Sequence, residues 1–221
     1  AMGCVEAGVD GLVVEGAEGG GFKNPEEVST LVLLQAIRRK SDIPMVAAGG
    51  IVDGKGMAAA FALGAEGIQM GTRFVSSAES PVHHNYKQAI LDAKETGTYV
   101  LNKKASPCIR ALKTERTAKI YEDGLMPPDT FKGIMDVYFG GDMEASVGLA
   151  GQSSGLIDEV KTAREIIEET VTEFFAITEK MGALHTAKSF LKNPREEYPM
   201  SQFPEAKQLF TTVTEDGKSI L

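Results

Sequence analysis

Two short glycine motifs are the residues of this chain whose types best suit the binding of a phosphate group. The motifs are Ala48-Gly49-Gly50 and Gly71-Thr72. Each follows a short apolar run typical of a buried strand, at residues 44–48 and 67–70. Glycine has no Cβ, so its backbone N–H groups can approach phosphate oxygens closely, and the threonine hydroxyl adds a further hydrogen-bonding group. The two motifs together predict one phosphate site.

Paired glycines at strand ends also occur as simple turns, and either motif alone would be a weak signal. Their relation to each other favours the phosphate site. They lie one strand-helix-strand unit apart, and the carboxyl ends of parallel strands meet at the same edge of a sheet. Amide donors from both motifs would therefore face one ligand.

The elements around these motifs alternate between strand and helix. A small-residue helix is predicted over residues 57–63, between the two strands. The sequence GAEG at 64–67 leads into the second strand, and a similar GVDG at 8–11 leads into an earlier predicted strand at 12–15. A repeated helix stop followed by a strand is typical of parallel βαβ units. Residues 1–7 resemble the last turns of a helix, so we expect the chain to start in the middle of a fold.

A helix is predicted over residues 31–40, with Ser29 as its N-terminal cap. Leu31, Leu34 and Ile37 recur at helical spacing. These three side chains are expected to pack against the sheet.

A glycine-rich loop, residues 15–25, follows the first predicted strand. Its three consecutive glycines, 19–21, would let the backbone approach a flat ligand, although a mobile surface loop is an equally good interpretation. Both interpretations stay open at this point.

The second half of the chain has fewer motifs. We predict a strand at 98–101, a charged amphipathic helix within 103–124, a small-residue segment at 149–155 that could contact a ligand, and a long amphipathic helix over 156–181. From residue 184 onward three prolines and weak periodicity predict an irregular tail.

The composition narrows the class of protein. The 221 residues carry a net charge of −8 with a pI near 5.0, which argues against nucleic acid or an anionic membrane surface as the main partner. No apolar run reaches membrane-spanning length, and no signal peptide opens the chain. The cysteines, Cys4 and Cys108, lack metal-binding or redox spacing. His83 and His84 also lack a second ligand at metal spacing. We therefore expect a cytoplasmic protein without a metal site.

At these motifs the chain resembles the FMN-dependent nitronate monooxygenase family. That family also includes flavin-dependent enoyl-acyl-carrier-protein reductases and NADH:quinone reductases. The resemblance runs from Glu6 to about Lys180 through the segments AGVDGLVVEGAEGGG, IPMVAAGGIVDGKG, LGAEGIQMGTRF, ESPVHHNYK and AGQSSGLIDE. It implies an α/β fold that is the C-terminal portion of a TIM-type (β/α)8 barrel with a C-terminal helical extension. The expected parts are a barrel segment (1–102) with the FMN phosphate site, a helical region (103–182) with the AGQ segment packed on the barrel, and the tail (183–221).

The resemblance also implies roles for individual residues. The FMN phosphate would be held by the two glycine motifs, Ala48, Gly49 and Gly50 with Gly71 and Thr72. Gly20 would lie against the flavin, Glu15 near its ring, and Gln152 near the site.

The family usually has a histidine after the glycine loop, and this chain has Phe22 there. A phenyl ring cannot act as a general base, so the catalytic residue is not identified. The family's opening strands are also missing. The expected partners are a small-molecule substrate and either further copies of the chain or another chain that supplies those strands.

Two functions follow from the resemblance. The first is an FMN-dependent nitronate monooxygenase, which converts a nitronate and dioxygen to a carbonyl compound and nitrite. The second is an NAD(P)H-dependent reductase of an enoyl thioester or a quinone, also through FMN. An alternative of another class is a non-catalytic subunit that binds a flavin or another phosphate ligand or serves in assembly, which the presence of Phe22 favours.

Overall fold

The structure is a computed structural model that describes residues 2–186 of the chain. Ala1–Glu179 is one compact unit, and a second unit begins at Lys180. Most of the irregular tail predicted for 183–221 lies outside the described residues. Within residues 2–186, no helix combines the length and the apolar character that crossing a membrane requires.

A three-stranded parallel sheet forms the first layer of the fold. Its strands are β1 (Leu12–Glu15), β3 (Met45–Ala48) and β4 (Gly67–Gln69), in the order β1-β3-β4. Val13 pairs with Val46, and Ala47 pairs with Ile68. The carboxyl ends of all three strands therefore lie at one edge, which confirms the parallel βαβ arrangement predicted from the repeated glycine pattern.

A second sheet of three antiparallel strands was not predicted. Its strands are β2 (Gly21–Lys23), β5 (Thr98–Leu101) and β6 (Cys108–Leu112), in the order β2-β6-β5. Phe22 pairs with Ile109, and Val100 pairs with Arg110. The predicted strand at 98–101 is confirmed, but it belongs to this second sheet and does not continue the parallel one.

Seven α-helices surround the sheets in the described part of the chain. They are α1 (Met2–Glu6), α2 (Thr30–Arg38), α3 (Gly54–Ala62), α4 (Thr72–Val75), α5 (His84–Leu91), α6 (Glu115–Asp123) and α7 (Ala163–Thr186). A π-helical turn spans Asp136–Gly140, and a 3₁₀ turn spans Gln152–Leu156.

Side-chain caps fix where several of these helices begin. Ser29 accepts a hydrogen bond from the backbone N–H of Val32 at the start of α2, as predicted. Asp53 caps α3 in the same way, so α3 begins at Gly54, three residues earlier than its apolar pattern indicates. The His83 side chain caps α5 by accepting from the Asn85 N–H. This contact gives His83 a structural role.

The core consists of three apolar clusters. One lies between the parallel sheet and helices α2 and α3, and includes Leu34 and Met45. A second surrounds α5 and includes the fully buried Tyr86. The third lies between β5, β6 and α6. Each sheet therefore packs against an apolar cluster of its own.

The prediction of a helix within residues 103–124 was wrong for the residues before Glu115. Residues 108–112 form β6, in which every residue is buried, and only Glu115–Asp123 is helical. The charge of Arg110 suggested a solvated surface. In the structure that charge is buried and paired, so the local composition was misleading.

Two further expectations need correction. The long helix predicted from residue 156 begins at Ala163, because the chain first forms the 3₁₀ turn. Leu31 is 57% exposed, so it does not belong to the apolar stripe of α2, in which Leu34 and Ile37 are buried and Leu33 packs beside them. Val13, on β1, is similarly exposed at 58%.

Candidate functional site

A pocket of about 250 Å³ opens at the carboxyl edge of the parallel sheet. Seven of the eight residues predicted to bind the cofactor line it. They are Glu15, Gly20, Ala48, Gly49, Gly50, Gly71 and Thr72. The folded chain therefore brings both glycine motifs and the glycine-rich loop to one cavity.

The turn after β3 places two glycines in succession on the pocket wall. Gly49 has φ of 89° and Gly50 has φ of 78°, a region that residues with a side chain rarely adopt. A Cβ on Gly49 would lie 3.0 Å from the backbone nitrogen of Gly19. Both the backbone conformation and the close approach of the loop explain why glycine is needed here.

Gly71 differs from these two glycines, because nothing in the protein requires it. Its φ is −90°, which any residue can adopt, and an added Cβ would meet no atom within 4 Å. Gly71 lines the pocket directly before α4. Gly71 therefore leaves open space at this part of the pocket wall.

Thr72, in the second glycine motif, contacts the small-residue segment 149–155. Its hydroxyl oxygen accepts a hydrogen bond from the Gly151 N–H at 3.0 Å. The hydroxyl proton remains available to an acceptor in the pocket. Thr72 can therefore fix the pocket wall and contact a bound phosphate at the same time.

The glycine-rich loop is held at several points. The Glu18 carboxylate accepts hydrogen bonds from the backbone N–H of Thr30, at 2.9 Å, and from its hydroxyl. The Thr30 hydroxyl oxygen also lies 3.1 Å from the Ala48 carbonyl and 3.0 Å from that of Gly49. Thr30 thus joins the loop, α2 and the end of β3. Of the two interpretations open at the sequence level, the structure supports an ordered loop.

Arg110 of β6 holds the same loop from the opposite side. Its side chain is 5% exposed. It donates hydrogen bonds to the Ala17 carbonyl at 2.7 Å and to the Thr98 hydroxyl at 3.0 Å, and it pairs with Glu27 at 3.4 Å. Burial lowers the pKa of the Arg110 guanidinium, and the carboxylate of Glu27 partly opposes that effect. The second sheet therefore positions the glycine loop.

Glu15, at the end of β1, forms an ion pair with Lys23. The Glu15 Oε2 atom and the Lys23 Nζ atom are 2.8 Å apart. The Glu15 side chain is 40% exposed, whereas that of Lys23 is 4% exposed. Sequence reasoning placed Glu15 near the site but gave Lys23 no role.

The segment that contains Gln152 contributes to the pocket differently from the prediction. Gln152 does not line the pocket, and its backbone N–H donates to the Glu18 carbonyl at 2.9 Å. The neighbouring Ser153 lines the pocket instead. Gly20 lines the pocket and also packs so tightly on Ala150 that an added Cβ would lie 2.6 Å from the Ala150 carbonyl carbon.

Phe22 does not line the main pocket. Its side chain is 65% exposed, and its ring centroid lies 6.1 Å from that of Phe131. It lines a smaller adjoining pocket of about 110 Å³, together with Glu15 and Lys23. The position that carries a histidine in the family is therefore beside the main pocket, and Glu15 is common to both cavities.

Several lining residues were missed from the sequence. They are Gly19, Gly21, Ile51, Gln69, Val75, Leu149 and Ser153. Gln69 ends β4 immediately before the second glycine motif, and this position was the signal that could have identified it. Ile51 and Leu149 offered no such signal, because isolated apolar residues are most often part of a core.

The donor set fits the phosphate of a flavin mononucleotide. Backbone N–H groups at two strand ends, the threonine hydroxyl and the open space at Gly71 suit a small anion, and Ile51, Val75 and Leu149 add apolar side chains to the lining. Among the described residues, no group of three or more histidine, cysteine or acidic side chains is arranged to hold a metal ion.

Comparison with known proteins agrees with this geometry. The model of the family described as "NMO: Nitronate monooxygenase" matches residues 1–173. The chain belongs to the nitronate monooxygenase family. This membership confirms the resemblance noted from the motifs, and it supports an oxidoreductase with a flavin cofactor.

Individual relatives have different names within this family. A probable nitronate monooxygenase from Staphylococcus haemolyticus is 40% identical over 133 residues, which are 55% of this chain and 37% of that protein. A (3aS,4S,5R,7aS)-5-hydroxy-7a-methyl-1-oxo-octahydro-1H-indene-4-carboxyl-CoA dehydrogenase from Rhodococcus jostii is 29% identical, covering 80% of this chain and 62% of its own.

Among solved structures, FabK from Thermotoga maritima is 42% identical, with a TM-score of 0.78 over 83% of this chain and 60% of FabK. These neighbours place the chain in a TIM-barrel-type α/β fold. The chain spans between about a third and two thirds of the length of these relatives.

Proposed function

We propose that this chain carries the FMN phosphate site of an FMN-dependent oxidoreductase of the nitronate monooxygenase type. One observation carries the proposal: Gly71 leaves open space in a pocket that the Gly49-Gly50 turn and Thr72 also line. A phosphate is the ligand that such backbone donors suit.

Different residues of the chain would contact different parts of FMN. The N–H groups of Gly49, Gly50 and Gly71 and the hydroxyl of Thr72 would hold the phosphate, while Gly20 and Gly21 would allow the loop to approach the rest of the cofactor. When bound, FMN supplies the oxidation and reduction chemistry. The protein contributes binding, orientation and charge.

For the substrate, we propose a nitronate. Glu15 is the one ionisable side chain on the wall of the main pocket, and it is already paired with Lys23. Phe22 cannot abstract a proton. A nitronate has lost its proton before it binds, so its oxidation by dioxygen to a carbonyl compound and nitrite needs no general base from this part of the chain.

Reduction of an enoyl thioester or a quinone by NAD(P)H is a second candidate. The similarity to FabK supports it, because FabK is 42% identical over 83% of this chain. The probable nitronate monooxygenase covers 55%. The two functions share the same FMN site and differ in the electron donor.

We further propose that this chain is the C-terminal portion of the barrel and that another segment or chain completes it. The parallel sheet has three strands, whereas a closed TIM-type barrel has about eight. β1 is an edge of this sheet, and its Val13 is exposed. A neighbouring strand would pair with this edge and cover Val13.

An absorbance experiment tests the proposed function. The purified protein, with any chain that copurifies, is titrated with FMN, and NADH or a propyl nitronate is then added without oxygen. We expect FMN to bind and its absorbance bands to bleach with the nitronate and not with NADH.

The other outcomes decide between the alternatives. Bleaching by NADH alone would favour the reductase. Binding of FMN without bleaching by either compound would favour a non-catalytic subunit. If no FMN binds, the phosphate site proposed at Gly71 is wrong.

A further inference from the structure

The Lys23 side chain is the most completely buried charged group beside the pocket. It is 4% exposed, and its Nζ lies 2.8 Å from Glu15 Oε2. Removing an ammonium group from water is costly unless a counter-charge compensates it. Glu15 provides that counter-charge.

The lining of the two cavities locates the ion pair. Lys23 lines the smaller adjoining pocket together with Phe22, and its partner Glu15 lines both cavities. The glycine loop then covers the ion pair: a Cβ on Gly19 would lie 2.7 Å from Lys23 Nζ and 2.0 Å from Glu15 Oε1. Gly19 thus leaves room for this pair.

The position of Glu15 makes its charge important for binding. Among the described residues that line the main pocket it is the one ionisable side chain, and this side chain is 40% exposed. Both FMN, through its phosphate, and a nitronate are anions. An unpaired carboxylate on the same wall would repel them, because charges that are partly removed from water are screened only weakly by salt.

We propose that Lys23 is a positioning residue that neutralises and orients Glu15, so that this pocket accepts anionic ligands. The inference rests on the proposed function, since it assumes that the pocket takes FMN. Lys23 acts through Glu15 and does not touch the ligand. The Glu15–Lys23 pair is net neutral, and the 2.8 Å contact fixes the position of the Glu15 carboxylate.

The test compares FMN with riboflavin, which has the same ring but no phosphate. Dissociation constants for both are measured by flavin fluorescence with the wild-type chain and the Lys23→Met variant. We expect Lys23→Met to bind FMN about tenfold more weakly, since Glu15 is left unpaired. Binding of riboflavin should change by less than about threefold, because riboflavin is neutral.

Three further variants separate charge from packing. Lys23→Arg keeps the charge and should retain FMN binding within about threefold of wild type. The Glu15→Gln/Lys23→Met double variant removes both charges and should restore FMN binding to the same level. Lys55→Met is the matched control, because Lys55 is also ion-paired but 71% exposed, and it should bind FMN as the wild type does.

Each result bears on the proposal. Equal weakening of FMN and riboflavin by Lys23→Met would indicate a packing role and overturn it, as would weak FMN binding by the double variant. If the Lys23→Met variant does not fold, FMN binding by the double variant still tests the proposal. If the wild type binds FMN and Lys23→Met binds it equally well, this inference alone is wrong. If the wild type binds no FMN, the proposed function is wrong as well.

Discussion

The two sheets of this protein contribute to the pocket by different means. The parallel sheet β1-β3-β4 provides backbone: its strand ends place Gly49, Gly50 and Gly71 at the cavity. The antiparallel sheet β2-β6-β5 provides side chains, of which Arg110 holds the glycine loop and Lys23 pairs with Glu15. One sheet forms the binding surface, and the other holds a loop against it.

Substitutions in the two sheets should therefore have different effects. Changes in the antiparallel sheet that remove a buried charge should lower stability, because they leave several hydrogen-bonding partners unsatisfied. Changes at Gly71 should affect the ligand and leave the fold intact, because the space there is empty. The predictions below test this division, beginning with the largest effect.

Arg110→Met should lower the free energy of unfolding by about 3 kcal/mol, since it leaves the Ala17 carbonyl and the Thr98 hydroxyl without their buried donor, although Glu27 keeps its ion pair with Lys103. Urea unfolding followed by circular dichroism measures the change. Arg164→Met is a control, because the Arg164 side chain is 82% exposed in its ion pair, and it should change stability by less than about 0.5 kcal/mol. Equal effects of the two substitutions would contradict the structural role of the second sheet.

Gly71→Asp should weaken FMN binding by about a hundredfold, because it places a carboxylate where the phosphate would lie. The unfolding midpoint should stay unchanged, since the new side chain meets no protein atom near its Cβ. Fluorescence titration with FMN, together with thermal unfolding, gives both values.

Gly71→Asn is the matched control for that substitution. An asparagine side chain has nearly the same shape as an aspartate side chain but carries no charge. The Gly71→Asn variant should therefore bind FMN more tightly than the Gly71→Asp variant. If both variants bind FMN like the wild type, the phosphate lies elsewhere and the parallel sheet does not form the binding surface.

Phe22→His should have the smallest effect. The side chain is exposed, so stability should change by less than about 0.5 kcal/mol. An imidazole at this position can act as a base, so we expect turnover of neutral nitroalkanes to rise by about tenfold. This gain is smaller than general base catalysis usually gives, because residue 22 lies beside the main pocket and not in it. Nitrite release from nitroethane measures it.

The matching control is Phe22→Leu, which removes the ring without adding a base and should leave turnover of nitroethane unchanged. No gain in Phe22→His with FMN still bound would mean that the missing base does not limit activity on nitroalkanes.

The sequence by itself determined the parallel sheet and most of its binding edge. β3, β4 and the Ser29 cap of α2 follow from neighbouring residues, because apolar runs, glycine stops and caps act over a few positions. The two glycine motifs identified five of the residues that line the pocket for the same reason, and the family resemblance added Glu15 and Gly20. The division of the chain at residues 102 and 182, and the roles assigned to those residues, stay predictions.

Only the tertiary structure decided the antiparallel sheet and what it holds. β2 is three residues within a glycine-rich segment, and β6 lies in a charged stretch, so neither has a strong local signal. They form strands because they pair with each other across a long separation in sequence, and pairing with a distant strand overrides local propensity. The burial of Arg110, the partnership of Lys23 with Glu15 and the replacement of Gln152 by Ser153 in the pocket wall all depend on that packing.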